Sequence, residues 1–368
     1  MSTQNKRLKV LHYVWWNNAH VREIVRDMQQ LGIDARQSKA VIPTSIARII
    51  LSPLYPLGYR LLGYRIVHLH WIAGHFRPST SRSMLMSYVY NIWYKLFLLM
   101  AKISGLKIVW TAHNVTPHDR IFPNDEKARQ FLIQHCDLVF ALNQTSKTLL
   151  ESEFNGTNVL LIPVAEVIPK PTESREETRK ALGVGNDEVL YSHLGHIRPY
   201  KGTDRFLQAM NDEQQGVKYL ICGAPGPIKF MEYIHSLRNQ AIAKGADLIY
   251  REEFVSDAEL ANLIQASDFL VCPFEKINNS GFVNLAFATG TPLILSDIPG
   301  LSWVPRDAVI WIEPQNDIAS LLHTISQALK LSGEELLSMV SQGQRFADGH
   351  EWSDYVQAQT QAYKSLFQ

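Results

Sequence analysis

Residues Val189–Met210 read VLYSHLGHIRPYKGTDRFLQAM, and the order of parts in that stretch decides the fold. Val189 to Leu194 is an apolar strand of the length found in a buried parallel sheet. A glycine-bounded basic turn follows, Gly195-His196-Ile197-Arg198-Pro199-Tyr200-Lys201-Gly202, and leads into a helix from Thr203 to Met210. A strand that passes through a tight turn into a helix is the opening step of a parallel α/β sheet, in which loops at the strand C-termini carry ligands.

The alternation continues downstream. Tyr219 to Cys222, Leu248 to Tyr250, Phe269 to Cys272, Pro292 to Leu295 and Val309 to Ile312 read as strands. Asp257 to Ala266 and Asn284 to Ala288 read as helices between them. Upstream, Leu8 to Trp15, Ile66 to His70, Lys107 to Thr111 and Leu138 to Leu142 are strand candidates. Asn17 to Leu31 has apolar residues at helical spacing and stops at Gly32, and Ser83 to Ser104 is a second helix. The two series are separated by Ile162 to Thr172, IPVAEVIPKPT, whose three prolines mark a linker into the charged stretch Glu173 to Lys180. A chain of 368 residues exceeds one ordinary core and suits two domains. The expected division is 1–168, 169–350, and a C-terminal helix over 351–368 that packs back on the first domain. No internal repeat of 20–50 residues is visible.

Composition narrows the function. Apolar residues make up 46% and charged residues 19%, a globular balance. Lys plus Arg number 36 against 35 for Asp plus Glu, so no global field recruits nucleic acid. The three cysteines, Cys136, Cys222 and Cys272, lack metal-ligand spacing and read as buried thiols in a reducing compartment. The polar start MSTQNKRLK runs directly into a strand without a signal-peptide pattern, so a cytoplasmic location is expected.

The turn after the first strand, Trp16-Asn17-Asn18-Ala19-His20, lacks the G-x-G-x-x-G that a nicotinamide dehydrogenase needs to bring backbone against a pyrophosphate. The sequence holds no D-x-D triplet. Metal-independent chemistry is therefore expected, with no cofactor and no metal site, and with protein cations and helix dipoles neutralising a leaving diphosphate. Arg198 offers a bidentate fork and Lys201 a compact charge. Asn279, Ser280 and Gly281 stand where a helix begins near Phe282, so free backbone amides and a partial positive charge await a phosphate. Ser280 or Asn279 also suits the cap of that helix, and a capped terminus still offers free amides. His68 and His70 point to one side of a strand, but no third metal ligand is evident nearby, and each reads as a core or cleft histidine.

Taken in order, GHIRPYKG, REEFVSDAELANLIQASDFLVCPF and NNSGFVNLAFATGTPLILSD resemble the GT-B glycosyltransferases. In the first half, IVHLHW and VWTAHNVTPHD are similar to the smaller bacterial subset that includes the xanthan-pathway β-mannosyltransferase, whose members build lipid-linked exopolysaccharide units. The resemblance covers roughly Lys9 to Leu366 and is weakest over 36–64. It implies an α/β GT-B architecture, two Rossmann-like domains facing across a cleft with a C-terminal helix. It further implies an acceptor-binding first domain and a second domain that binds a GDP- or UDP-linked sugar. Arg198 and Lys201 would hold the diphosphate with Asn279, Ser280 and Gly281, and base and ribose would lie near Glu253, Phe254 and Val255. Retaining relatives carry a Glu-x7-Glu pair where this chain has Ile277 and Leu285, and an Arg where it has His196. Both departures fit the β-mannosyltransferase-like subset.

An inverting transferase needs a base for the acceptor hydroxyl. The best-placed tract is Thr111 to Asp119, TAHNVTPHD, at the end of a strand and stiffened by a proline. Asp119 is the expected base and His118 the competing one. His113 and Asn114 would contact the donor sugar, with Asn17, Asn18 and His20 of the first turn as further cleft residues. Arg48 to Arg65 and Ser83 to Lys102 mix basic and aromatic residues, which suits peripheral attachment to the cytoplasmic face of the inner membrane, as a polyprenyl-diphosphate-linked acceptor would require. The same residues also suit a domain core with a solvated rim. Competing functions are a retaining transferase, a UDP-sugar 2-epimerase that needs no acceptor, and a non-catalytic sugar-nucleotide-binding subunit of a polysaccharide assembly complex.

Overall fold

Short strands alternate with helices through most of the computed structural model, which describes residues 7–14, 18–38, 51–72, 84–115, 121–210, 216–277, 279–313 and 317–368. The chain divides into two compact units, Met1–Val167 with Glu351–Gln368, and Ile168–His350.

The first unit contains β1 (Lys9–Tyr13), α1 (Ala19–Gln30), β2 (Asp34–Gln37), α2 (Tyr55–Leu61), β3 (Ile66–Leu69), α3 (Met84–Ile103), β4 (Lys107–Ala112), α4 (Asp125–His135), β5 (Leu138–Ala141), α5 (Gln144–Ser152) and β6 (Val159–Leu161). Every pairing in its sheet is parallel, in the order β2-β1-β3-β4-β5-β6. The second unit begins with α6 (Arg175–Leu182), β7 (Val189–Leu194), α7 (Thr203–Gln208), β8 (Val217–Cys222), α8 (Ile228–Ala243), β9 (Leu248–Arg251) and α9 (Asp257–Ala266). It continues through β10 (Phe269–Cys272), α10 (Gly281–Thr289), β11 (Leu293–Ser296), β12 (Ile310–Ile312), α11 (Ile318–Ala328) and α12 (Gly333–Asp348). Its sheet is also parallel, in the order β12-β11-β10-β7-β8-β9. The last helix, α13 (Trp352–Ser365), belongs to the first unit.

Local chemistry explains the boundaries. Asn18 caps α1 by accepting from the Val21 amide at 3.0 Å, and Ser174 and Glu177 form a reciprocal capping box on α6. Val21, Ile24 and Met28 recur at helical spacing and turn α1's buried face to the sheet. The inner strands of both sheets are buried on both faces, as parallel sheets require. One face of the first sheet packs Leu11, Val67 and Trp110 against Tyr94, Phe97 and Leu132; the other packs Val10, Ile66 and Phe140 against Ile24, Met28, Tyr355 and Tyr363. Tyr363 also reaches His68, and the Trp352 indole donates to Asp27 at 2.7 Å, so α13 completes the first unit's core. All three cysteines are free and buried.

The sequence pattern passes over β2, Asp-Ala-Arg-Gln, and the three-residue β6. Both are edge strands with little buried apolar surface, so their periodicity is weak. The strand expected over Leu8 to Trp15 is shorter, Lys9–Tyr13, and the helix expected to begin near Phe282 begins at Gly281.

Candidate functional site

An open parallel sheet binds ligands where adjacent strands send their connections in opposite directions. Strand order puts that switch point between β7 and β10 in the second unit and between β1 and β3 in the first.

In the second unit the loops after the two switch-point strands are joined. His193 of β7 donates from Nδ1 to the Val271 carbonyl of β10 at 2.9 Å, leaving Nε2 to accept from the Thr203 hydroxyl at 2.9 Å. One neutral side chain thus ties both strands to the first residue of α7, and burial pushes its pKa down to about 4. The Glu275 amide donates to the Tyr200 carbonyl at 3.0 Å, and Arg205 donates to the Pro273 carbonyl. Gly202 has φ +75° and lies so close to Pro273 that a Cβ there would overlap its carbonyl oxygen; a Cβ at Gly223 would likewise overlap the Gly195 carbonyl. Only glycine permits these approaches.

The expected diphosphate residues sit on this junction. Lys201 carries its ammonium 4.7 Å above the Phe274 ring, half-buried, and burial lowers its pKa. Arg198 donates from Nη1 to the Pro225 carbonyl at 2.9 Å, which ties its side chain to the loop after β8. Ser280 occupies the N-cap of α10 in extended conformation, yet its side chain makes no capping bond. Its buried Oγ and the Asn279 Oδ1 have no hydrogen-bond partner among the described residues. A helix N-terminus with free amides and two unused oxygens beside it is prepared for a polar ligand. Glu253 is held by Arg251 at 2.5 Å, Phe254 is 75% exposed, and Val255 packs on the core, all in the loop between β9 and α9. Ile277 and Leu285 are both buried in the core around β7, β8, β10 and α10, so neither position presents a polar group.

The corresponding edge of the first unit is built from imidazoles. His12 from β1, His70 after β3 and His113 after β4 form a row: His12 Nδ1 to His70 Nε2 is 3.0 Å, and His70 Nδ1 to His113 Nε2 is 3.2 Å. His68 lies between the Tyr363 hydroxyl at 2.5 Å and the Thr111 hydroxyl at 2.7 Å. Burial drives the pKa of His12 and His113 down to about 3 and those of His68 and His70 well below the ordinary value, so the cluster is neutral. His12 supplies the third nitrogen that the sequence leaves unnoticed beside His68 and His70; the three offer atoms within 4.8 Å of one another. Both nitrogens of His68 are hydrogen-bonded to hydroxyls, whereas His12 and His70 bond each other.

The other expected residues are placed as follows. His113 stacks on Trp71 at 4.1 Å with ring planes 10° apart, and Asn114 is half-buried beside it. Asn18 uses its carbonyl oxygen as the α1 cap, and His20 pairs with Glu166 at 3.2 Å. Asn17, His118 and Asp119 lie outside the described residues. Sequence reasoning missed His12, His193, Glu166 and Tyr363. A signal for His12 existed, because the β1–β3 register pairs it with His68.

Comparison with known proteins finds likenesses in both sequence and fold. The family model described as Glycosyl transferases group 1 matches residues 174–346. GDP-mannose:glycolipid 4-beta-D-mannosyltransferase of Xanthomonas campestris pv. campestris is 24% identical over 251 residues, which cover 66% of this chain and 66% of that protein. D-inositol 3-phosphate glycosyltransferase of Corynebacterium efficiens is 27% identical over 229 residues, 55% of this chain and 52% of that one. The match therefore spans just under two thirds of the first relative's length and about half of the second's. Among solved structures, sucrose-phosphate synthase from Thermosynechococcus elongatus superposes with a TM-score of 0.78 at 15% identity, covering 98% of this chain and 99% of that one. Anabaena HepE in complex with UDP and glucose superposes with a TM-score of 0.73 at 13% identity, covering 98% of this chain and all of that one. These likenesses give the fold as GT-B, with the C-terminal helix in place.

Proposed function

We infer that this chain, a glycosyltransferase by its group 1 domain and GT-B fold, is a metal-independent, inverting enzyme that moves a sugar from a nucleotide diphosphate onto a lipid-linked or other glycan acceptor. The observation that carries the reading is the junction at the β7/β10 switch point. There the half-buried Lys201 ammonium and the open N-terminus of α10 belong to two loops tied together through Glu275, Tyr200, Gly202 and Pro273. A leaving diphosphate needs positive potential fixed before it departs, and a helix pole with a partly desolvated lysine supplies it. The Ile277 and Leu285 side chains support inversion, because neither can serve as the glutamate that retaining relatives place there. Asp119, with His118 as the competing group, takes the acceptor proton. The names of the Xanthomonas relatives favour GDP-mannose as donor.

A lipid-linked acceptor is supported by the surface of the first unit. Along α3, Leu85, Tyr88, Ile92, Leu96, Leu99 and Ile103 are exposed at spacings of three and four, while Tyr90, Tyr94, Phe97 and Ala101 face the core. The helix is apolar on both faces, an arrangement that water does not favour on an outer surface. Packed against it, α2 exposes Leu57 and Leu61 and leads to an exposed Leu62; Leu61 is 89% accessible. A groove of about 1050 Å³ at the N-terminal ends of β1 and β2 is lined by Arg7, Lys9, Arg36, Arg60, Arg65 and Lys364 against the single carboxylate of Asp34. Apolar side chains beside a cationic groove suit an anionic bilayer surface. Among the described residues no helix is long and apolar enough to cross a membrane.

The test is a thermal-shift screen of GDP, UDP, ADP and TDP, followed by NMR assignment of the product anomer. A nucleoside diphosphate should raise the melting temperature, since binding the native state stabilises it. Indifference to all four would remove the diphosphate site, and retention of donor configuration would overturn inversion.

A further inference from the structure

The row of imidazoles at the β1/β3 switch point contains directional information. Each neutral ring carries one N–H and one lone pair. The contacts His12 Nδ1 to His70 Nε2, 3.0 Å, and His70 Nδ1 to His113 Nε2, 3.2 Å, each need one proton between two nitrogens. His70 has a single proton to place. If it sits on Nδ1 it points to His113, and His12 must then donate from Nδ1 to His70. If it sits on Nε2 it points to His12, and His113 must donate from Nε2. Only two orders exist, and they run in opposite directions.

The inner end distinguishes them. His12 Nε2 is buried and has no hydrogen-bond partner among the described residues. The order running inward would leave an N–H at that atom with nothing to accept it. The order running outward leaves only a lone pair there. Buried N–H groups without acceptors are rarer than under-used acceptors, because an orphaned donor loses its hydrogen bond to water without replacement. We propose that His12 and His70 are positioning residues that hold His113 as its Nδ1–H tautomer, so that His113 offers a hydrogen-bond donor, not a proton acceptor, to an oxygen of the nucleotide sugar.

Neighbouring groups are consistent with that order. Stacking on Trp71 fixes the plane of the His113 ring, and the Trp110 indole donates to the His70 carbonyl at 3.3 Å, anchoring the end of β3. His68 is engaged by Tyr363 and Thr111, whose hydroxyls donate or accept, so it does not compete for the row's protons. Low pKa values keep the rings neutral through the physiological range, which preserves a single direction. The use of the donor rests on the transferase reading above: a sugar hydroxyl or phosphate oxygen can accept from His113, and the base must then be found elsewhere in the tract, at Asp119 or His118.

The experiment is long-range ¹H–¹⁵N correlation on full-length, ligand-free protein labelled at histidine, with the His113 signals assigned by their loss in His113→Gln. A protonated Nδ1 and a bare Nε2 at His113 are expected, and a protonated Nε2 would overturn the proposal. In His12→Phe and His70→Leu the preference should relax toward the Nε2–H form usual for free imidazole; an unchanged Nδ1–H signal in both would show that the row does not set it. Adding zinc should leave the His12, His68 and His70 signals in place, whereas a chelator-reversible shift of all three would replace the hydrogen-bonded row with a metal site. The wild-type spectrum decides even if a variant fails to fold. It needs no substrate, so failure of the transferase reading would leave it intact. If that reading holds, His70→Leu should also lower kcat about tenfold with nucleotide KM nearly unchanged, the loss of one hydrogen bond.

Discussion

The two sheets run the same parallel scheme but equip their switch points with different chemistry. In the second unit the junction is mostly backbone: glycines at 202 and 223 let carbonyls approach, the α10 amides stay open, and Lys201 supplies charge. In the first unit it is mostly side chain, a buried group of neutral histidines with Tyr363, Thr111 and Trp71 around it. A diphosphate is recognised by fixed dipoles and charge, which backbone supplies at little cost in side-chain entropy. A sugar and an acceptor hydroxyl need individually placed donors and acceptors, which side chains supply. Under the proposed function, the difference in material follows from the difference in ligand.

The sharpest way to break this contrast is Asp119→Asn. Transfer should fall by about 10²–10⁴, the usual contribution of a positioned acid or base, while nucleotide affinity stays within a few fold. Unchanged turnover in a steady-state assay would take the proton acceptor out of the first unit. Lys201→Ala should act oppositely, weakening nucleotide binding by about 1.5–3 kcal/mol as a charged hydrogen-bond partner is lost. Isothermal calorimetry giving equal affinity for the variant would detach the diphosphate from the β7 loop.

Acid distinguishes the units more gently. His12 has a folded pKa of about 3 against 6.5 for the free side chain, so the unfolded chain binds the proton more readily. Its contribution to stability is complete above pH 6.5 and is lost as pH falls from 6.5 toward 3, by about 1.4 kcal/mol over the first unit below 6.5. His68, His70 and His113 shift in the same direction, whereas in the second unit the lowered histidines are His193 and the exposed His196. Urea melts at pH 7.5 and 5.5, read by hydrogen exchange, should therefore show the first unit weakening more. Equal losses would mean that the imidazole cluster is not buried and neutral in solution. The smallest expected effect is at the surface. Leu85→Glu should reduce sedimentation with anionic vesicles several-fold and leave nucleotide affinity untouched, since Leu85 is 73% exposed and outside the core.

Much of this arrangement could be read from the chain. The strand Val189 to Leu194, its basic turn and the helix after it are continuous in sequence, so local pattern located Lys201 and the fold around it. The α10 terminus was legible for the same reason, although the absence of a Ser280 cap was not, because capping depends on a rotamer and not on composition. The histidine row was only half legible. His68 and His70 are two residues apart, but His12 lies more than fifty residues away and meets them only through the β1–β3 register. The covering group, Tyr363, is farther still. Non-local pairings of this kind leave no periodicity. Edge strands β2 and β6 escaped because a strand with one buried residue or none carries no alternation to find.

The placement of α13 has a consequence for the order of synthesis. The core of the first unit closes only when Tyr355, Val356, Ala362 and Tyr363 cover Ile24, Met28 and Phe140, and those residues leave the ribosome after the whole of 168–350. The second unit is continuous in sequence and can finish folding first. The earlier-translated sheet must wait with an open apolar trough, its histidines wet and titratable, until the last helix docks. Translation stalled near residue 350 would thus yield a sound second unit and an unfinished first one exposed to chaperones and proteases.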